Sequence, residues 1–515
     1  MSKPNVEGMR DTLRAQFESR SGKPASEYEW RCRALDGIVR MITEHWDEAV
    51  ACCSRDLGRN ESETVGELAA TLREIRDLRS NLRGWMRPES HGTHIMWMPG
   101  YSEVRRSPYG VVLCFGPYNY PFLLLLPVIA GALAAGNVVL FKPSELCTAC
   151  SSFISRLWHK YVPPDAALCV EGGPEVSVAL LELKWDFIFF TGSQRVAKIV
   201  SAAAGRQMTP CVLELGSKNA VLLDATAGPF LAEAAKRIVN TKFVNTGQSC
   251  VAPDYILCHR SLHARLVPLL LSALKTTYGA EPKHKNSGYG RLCQPSHHAR
   301  IVGLLKGCGG TAHALGTVPA DAAELYVPPT VVDAPDASSP ILNEEIFGPL
   351  LPVVPYDTLD EALRSARRVE AQPLGLYVFG STAFAEEVIA RTQSGAVVVN
   401  DSFVQHENRT LPFGGVGSSG IGNYHGRWSY ECFTYPRAVL WRHGQYDIDQ
   451  LVPMPLRHAD ASKPAGLRTL LLRLFLLYGP YLKLPRLDVR TLVYVSLLWL
   501  LKRWLAGKGL LPAGL

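Results

Sequence analysis

The chain lacks what would mark a secreted, fibrous or phosphate-cleaving protein. Its first sixteen residues, MSKPNVEGMRDTLRAQ, contain no apolar stretch, so no secretory signal is expected. Thirteen cysteines in 515 residues are mostly scattered singly. Cys147 and Cys150 make one C-x-x-C, but no second pair or histidine cluster completes a zinc set. Neither a metal site nor disulfides are expected, and the thiols read as buried groups in a reducing compartment. There is no internal repeat and no low-complexity linker. G-x-G-x-x-G is absent in its usual form, as is G-x-x-x-x-G-K-[ST], which argues against a P-loop nucleotidase. A basic body is missing too. The formal net charge is +7, yet residues 464–515 hold eight basic residues and one acid, which leaves 46 of each sign in 1–463. A charge-balanced body has no basic face for nucleic acid.

What is present is the make-up of a globular protein, 47% hydrophobic and 20% charged, long enough for two or three domains. Residues 7–87 carry periodic stretches, Leu35 to Ala51 and Glu63 to Trp85, that predict amphipathic helices. From Tyr109 short apolar runs (110–115, 137–141, 186–190, 211–215, 220–223) alternate with helical segments (122–135, 195–204, 229–245). A second series follows, with runs at 255–258, 350–354, 376–379 and 396–399 between helical stretches at 262–278, 297–307, 358–370 and 383–393. Such alternation is that of parallel βα units. The expected fold class is α/β, in two domains meeting near residue 213.

Three residues stand out chemically. Cys250, in the turn Gly247-Gln248-Ser249-Cys250, is the best-placed nucleophile among the cysteines; the alternative is a buried structural thiol. Glu214 lies in an apolar run before Gly216, where burial would lift its pKa toward that of a general base; alternatively it pairs with Lys218. Asn119, between proline turns in Gly116-Pro117-Tyr118-Asn119-Tyr120-Pro121, could donate to an oxyanion or merely cap a helix. Thr191-Gly192-Ser193 ends an apolar run and opens a helix, so backbone N–H groups there would face a pyrophosphate. The glycine-rich Pro412 to Gly420 has no following lysine and reads as a flexible pocket wall.

Taken in order, Phe115-Gly116-Pro117-Tyr118-Asn119-Tyr120-Pro121, Lys142-Pro143-Ser144-Glu145, Phe190-Thr191-Gly192-Ser193, Leu213-Glu214-Leu215-Gly216, Gly247-Gln248-Ser249-Cys250, Glu344-Glu345-Ile346-Phe347-Gly348-Pro349 and Pro412-Phe413-Gly414-Gly415 resemble the aldehyde dehydrogenase superfamily. The likeness runs from about residue 10 to 440. Ala252-Pro253-Asp254-Tyr255, Gly422-Asn423-Tyr424-His425-Gly426 and the apolar tail look like its class 3 branch and the membrane-bound fatty aldehyde dehydrogenases within it. The resemblance implies a helical region at 1–87, a Rossmann-type NAD(P)-binding domain at 88–213, an α/β catalytic domain at 214–420 and a bridging, oligomerising segment at 421–445. It implies Cys250 as nucleophile, Glu214 as the base that activates water, and Asn119 with the Cys250 N–H as oxyanion donors. Lys142 and Glu145 would hold the adenosine ribose, Gly192 and Ser193 the pyrophosphate, and Glu345 and Phe347 the nicotinamide ribose and ring. NAD is the implied cofactor, with NADP possible, the substrate a medium- to long-chain aldehyde, and the assembly a homodimer. One departure is Ser217, where the family motif Glu-Leu-Gly-Gly-Lys has glycine; its Cβ is expected to restrict Glu214.

The tail at 464–515 has nine apolar residues in twelve at Leu467 to Tyr478 and nine in eleven at Thr491 to Leu501. A bilayer core needs about 20 apolar helical residues, and eleven make a helix of about 16 Å. Neither run spans alone. With Arg468 and Arg473 interrupting the first and Lys502, Arg503 and Lys508 ending the second, they suit helices lying in the headgroup region; the alternative is a segment folded onto the protein's own surface or onto a dimer partner. A membrane-associated enzyme on the cytosolic face, at the endoplasmic reticulum by resemblance, is expected. Two other functions remain in view: a catalytically silent scaffold, which the presence of Cys250, Glu214 and Asn119 opposes, and a CoA-dependent acylating enzyme, which would not need Glu214.

Overall fold

The structure is a computed structural model that describes residues 4–20, 24–93, 100–284 and 287–442. The predicted tail lies outside them. The described residues form two compact units, one within 4–87 and 106–437 and the other within 88–105 and 438–442.

The first unit contains two mixed sheets. The six-stranded one runs Gly420–Ile421, Cys211–Leu215, Phe187–Gly192, Val111–Phe115, Val138–Lys142, Ala167–Cys169. All of its pairs are parallel except the first, where Gly420 lies opposite Glu214. Strands such as Val111–Phe115 and Val138–Lys142 are buried throughout, because helices cover both faces. Alternate side chains serve different cores: Val112, Cys114, Val139 and Phe141 face one, Val111, Leu113, Val138 and Leu140 the other.

The seven-stranded sheet runs Thr311–Ala314, Thr330–Asp333, Leu350–Tyr356, Tyr255–His259, Ala220–Leu223, Gly375–Phe379, Ala396–Val399. Only its first pair is antiparallel. The α/β alternation is thus as the sequence predicts from residue 110 onward. Thr311–Ala314, mostly exposed, and Thr330–Asp333 were not anticipated.

Helices Pro24–Glu44, Trp46–Leu57 and Glu61–Trp85 fill the amino-terminal part. The stretch expected as one helix from Leu35 breaks at His45, whose φ of −125° and ψ of 35° lie outside the helical range. Asn60 caps the last of the three by accepting from the Glu63 N–H. The strands of residues 88–105 lie in a sheet of their own. Glu89–His91 pairs with Gly100–Pro108, whose other neighbour is Thr434–Arg442, and these strands make a separate three-stranded sheet. Within the second unit, Trp441 stacks on Tyr101 and donates to Glu103 at 2.9 Å.

Candidate active site

In the six-stranded sheet the chain moves outward one way from Val111–Phe115 through Val138–Lys142 and then restarts on the other side with Phe187–Gly192. A ligand crevice is expected at the carboxyl ends of strands flanking such a reversal. A cleft of about 650 Å³ opens there, lined by Phe115 to Asn119, Lys142, Glu145, Thr191 to Ser193 and Glu214 to Gly216. The other sheet meets it with its amino ends. Cys250 precedes Tyr255–His259, and Glu345 and Phe347 precede Leu350–Tyr356; all three line the same cleft. All nine site residues named from the sequence are therefore brought to one cavity.

At the inner end, Glu214 is 4% exposed and neither carboxylate oxygen has a hydrogen-bond partner. Burial alone pushes its pKa well above the usual carboxylate range. The alternative pairing with Lys218 does not form, since Lys218 Nζ binds Asp254 at 2.6 Å. Cys250 is partly exposed at the bottom of the cleft. Burial, then the charges of Glu345 and Glu214, push its thiol up to about 12, while its own N–H and that of Val251 favour the thiolate. Asn119 is no helix cap. Its amide donates to Gln248 O at 3.2 Å, and its carbonyl accepts from Arg59 at 2.5 Å and Asn245 at 2.8 Å.

Toward the mouth, Lys142 and Glu145 pair at 2.7 Å. Ser193 caps the helix Gln194–Arg206 by accepting from the Val196 N–H, and the start of this helix, with the first-turn N–H groups that the cap does not use, lines the cleft. Gly192 cannot carry a side chain without meeting the Phe190 ring 2.6 Å away. Glu345 accepts from the Ser217 N–H at 3.0 Å, and burial raises its carboxyl to about 8. Phe347 lies edge-on to Tyr118, which also packs on His297. An ion pair for ribose hydroxyls, a helix start for a pyrophosphate and aromatic rings in the same cleft as the thiol form a set that fits a nicotinamide dinucleotide.

Two expectations change. The glycine-rich Pro412 to Gly420 contributes nothing to the cleft lining, and three of its glycines serve close backbone packing. A Cβ at Gly414, Gly415 or Gly420 would come within 2.3 Å of the backbone oxygen of Gly422, Ser419 or Leu213 respectively. Ser217 does not crowd Glu214. Its hydroxyl donates to Asn219 Oδ1 and accepts from the Leu374 N–H, both at 2.7 Å. Other members escaped sequence reasoning: His297 and Arg300 in the cleft, and the buried Arg59–Glu67 pair behind Asn119. What each of them braces is distant in the chain, Tyr118 for His297, Glu344 for Arg300 and the Asn119 carbonyl for Arg59, so no local spacing marks them. The C-x-x-C is likewise split, with Cys150 Sγ 3.9 Å from Cys53 and the Cys147 thiol donating to Tyr118 O.

A family model described as the aldehyde dehydrogenase family matches residues 5–439. Aldehyde dehydrogenase family 3 member B1 of Bos taurus is 39% identical over 432 residues, covering 84% of this chain and 90% of the relative. Among solved structures, Staphylococcus aureus AldH in a substrate-bound state superposes with a TM-score of 0.84 at 32% identity, covering 92% of this chain and all of that one. A mutant of Pseudomonas syringae aldehyde dehydrogenase C, complexed with NAD+ and octanal, gives 0.75 at 28% identity, covering 84% and 88%. A shared sequence across 85% or so of the chain and a shared fold leave one conclusion: the protein belongs to the aldehyde dehydrogenase family, and is an oxidoreductase that uses a nicotinamide cofactor to oxidise an aldehyde.

Proposed function

We propose that the protein oxidises medium- to long-chain aliphatic aldehydes to carboxylic acids, with Cys250, Glu214 and Asn119 as its catalytic residues. The observation that carries this reading is the meeting of the Cys250 thiol and the unpartnered Glu214 carboxylate at the inner end of the dinucleotide cleft. Burial pushes the Cys250 thiol up to about 12, so it is protonated at neutral pH and gives its proton to solvent as the sulfur attacks, while the N–H groups of Cys250 and Val251 favour the thiolate; Glu214 stays free for the later step. The sulfur attacks the aldehyde carbonyl, and the oxyanion of the thiohemiacetal is held by the Cys250 N–H and the Asn119 amide. A bound nicotinamide supplies a hydride acceptor. Glu214 then takes a proton from water as that water attacks the thioester, and the carboxylate product leaves Cys250 free.

Lys142 and Glu145 would hold the adenosine ribose, Gly192 and Ser193 the pyrophosphate, and Glu345 and Phe347 the nicotinamide ribose and ring. The Glu145 carboxylate would repel a 2′-phosphate, which favours NAD over NADP. An apolar aldehyde is supported by the octanal bound to the Pseudomonas relative. A homodimer and a tail that attaches to a membrane surface at the endoplasmic reticulum belong to the same reading, since a bilayer concentrates a long-chain aldehyde. Among the described residues no helix is long and apolar enough to cross a membrane; residues 464–515 lie outside them.

NADH formation with an aldehyde series from acetaldehyde upward tests the substrate: kcat/KM should climb with chain length, and a profile that peaks at two or three carbons rejects it. Cys250→Ala should be inactive throughout. Removing 464–515 should shift the protein from a salt-washed membrane pellet to the supernatant with activity on short aldehydes retained. A full-length chain already in the supernatant rejects the anchor.

A further inference from the structure

The nucleophile loop around Cys250 belongs to no strand, so side chains must fix its peptides. Asn219, 1% exposed, is the hub. Its Nδ2 donates to the carbonyl oxygens of Cys250 at 2.7 Å and Ala252 at 3.0 Å. Its Oδ1 accepts from the Gly375 N–H at 2.9 Å and from the Ser217 hydroxyl at 2.7 Å. Both N–H donors and both lone pairs are used, and the amide cannot be turned over without facing donor to donor. Ser217, 2% exposed, is fixed in turn by the Leu374 N–H.

The consequence follows from peptide planarity. In a trans peptide the C=O and N–H point in opposite directions. The carbonyl that Asn219 holds belongs to the Cys250–Val251 peptide, whose N–H is that of Val251. With the carbonyl drawn toward Asn219, the Val251 N–H is turned back to the Cys250 sulfur, where it serves the thiolate. Two peptides earlier, the Gln248–Ser249 carbonyl is held by side chains as well, since Gln248 O accepts from Asn119 and Asn245.

We infer that Asn219, oriented by the Ser217 hydroxyl, is a positioning residue that aims the Val251 N–H at the Cys250 sulfur and so sets how readily the thiolate forms. This rests on the reading of Cys250 as nucleophile. Ser217, which stands where the family motif has glycine, gives this chain an added brace on that amide.

The full-length protein is compared with Asn219→Ala, Ser217→Ala and Ser217→Thr. The main readout is alkylation of Cys250 by iodoacetamide without cofactor, followed by peptide mass against pH; kcat and KM for an aldehyde are the second. Asn219→Ala is expected to move the alkylation profile to higher pH and lower kcat about 100-fold, the size of effect that a misplaced group causes, with KM changed less than about threefold. Ser217→Ala should shift the profile the same way by less, and Ser217→Thr, which keeps the hydroxyl, should restore it. A wild-type alkylation profile in folded Asn219→Ala overturns the inference whatever its kcat. If that variant does not fold, Ser217→Ala decides: a wild-type profile, or a shift that Ser217→Thr fails to reverse, overturns it equally. Activity retained by Cys250→Ala would instead sink the nucleophile assignment, and the alkylation profiles would still judge the hold of Asn219 on Cys250.

Discussion

At the scale of single residues the site keeps a carboxyl group where folding would not choose one. Glu214 is buried with both oxygens unpartnered, and its raised pKa means that the folded protein disfavours the ionised form. The sign of the pH effect follows. With the folded pKa above the unfolded one, the native state binds more protons, so stability falls as pH rises from the unfolded pKa to the folded one. Glu214→Gln removes that loss: its Tm should exceed that of wild type by more at pH 8 than at pH 5, while thioester hydrolysis stops and labelled acyl-enzyme accumulates. An equal Tm difference at both pH values would reject the assignment of a raised pKa. Cys250, Glu214 and Asn119 were legible in the sequence because each sits inside a motif of neighbours. Asn219 and Arg59 were not, because what gives them meaning is the Cys250 carbonyl 31 residues away and the Asn119 carbonyl 60 residues away.

At the scale of elements, the turn that carries Asn119 depends on a helix far from it in sequence. Arg59, 1% exposed at its side chain, pairs with the fully buried Glu67 and donates to the Asn119 carbonyl; Glu67 accepts from the N–H groups of Phe122 at 2.8 Å and Leu123 at 3.0 Å. The pair thus ties the amino-terminal helix Glu61–Trp85 to both ends of the turn that carries the Asn119 amide. Breaking one partner of such a pair leaves a buried charge, so Arg59→Met should cost about 3–5 kcal/mol in urea unfolding and slow turnover, whereas a loss under about 1 kcal/mol would deny the tie. The sequence marks 63–85 as a helix by its periodicity but gives no sign that it braces a site, since the buried Glu67 looks like any other polar position on the helical wheel. The glycine-rich segment misled for a related reason. Glycine is used there for close approach of backbone to backbone, and from composition that is indistinguishable from flexibility.

For the whole molecule the decisive arrangement is that the carboxyl ends of one sheet face the amino ends of the other. Glu214 leaves the first at the end of Cys211–Leu215, and Cys250 enters the second before Tyr255–His259. Alternation of apolar runs made both sheets legible, but not their mutual placement, which is settled by side-chain contacts between segments such as Ser217 and Leu374. Each sheet has cores on its two faces, and of the proposed reacting groups only Cys250 packs against one of them, so most of each sheet's cohesion lies away from the cleft. Heat is therefore expected to affect the reaction first: on warming, kcat should fall several degrees below the midpoint of circular dichroism loss and recover on cooling, and coincident curves would contradict this. The gap between the sheets, rather than the strength of either, then sets the upper working temperature. A lineage adapting to a warmer or colder habitat could retune the enzyme by altering the few residues that bridge that gap, with every strand left as it is.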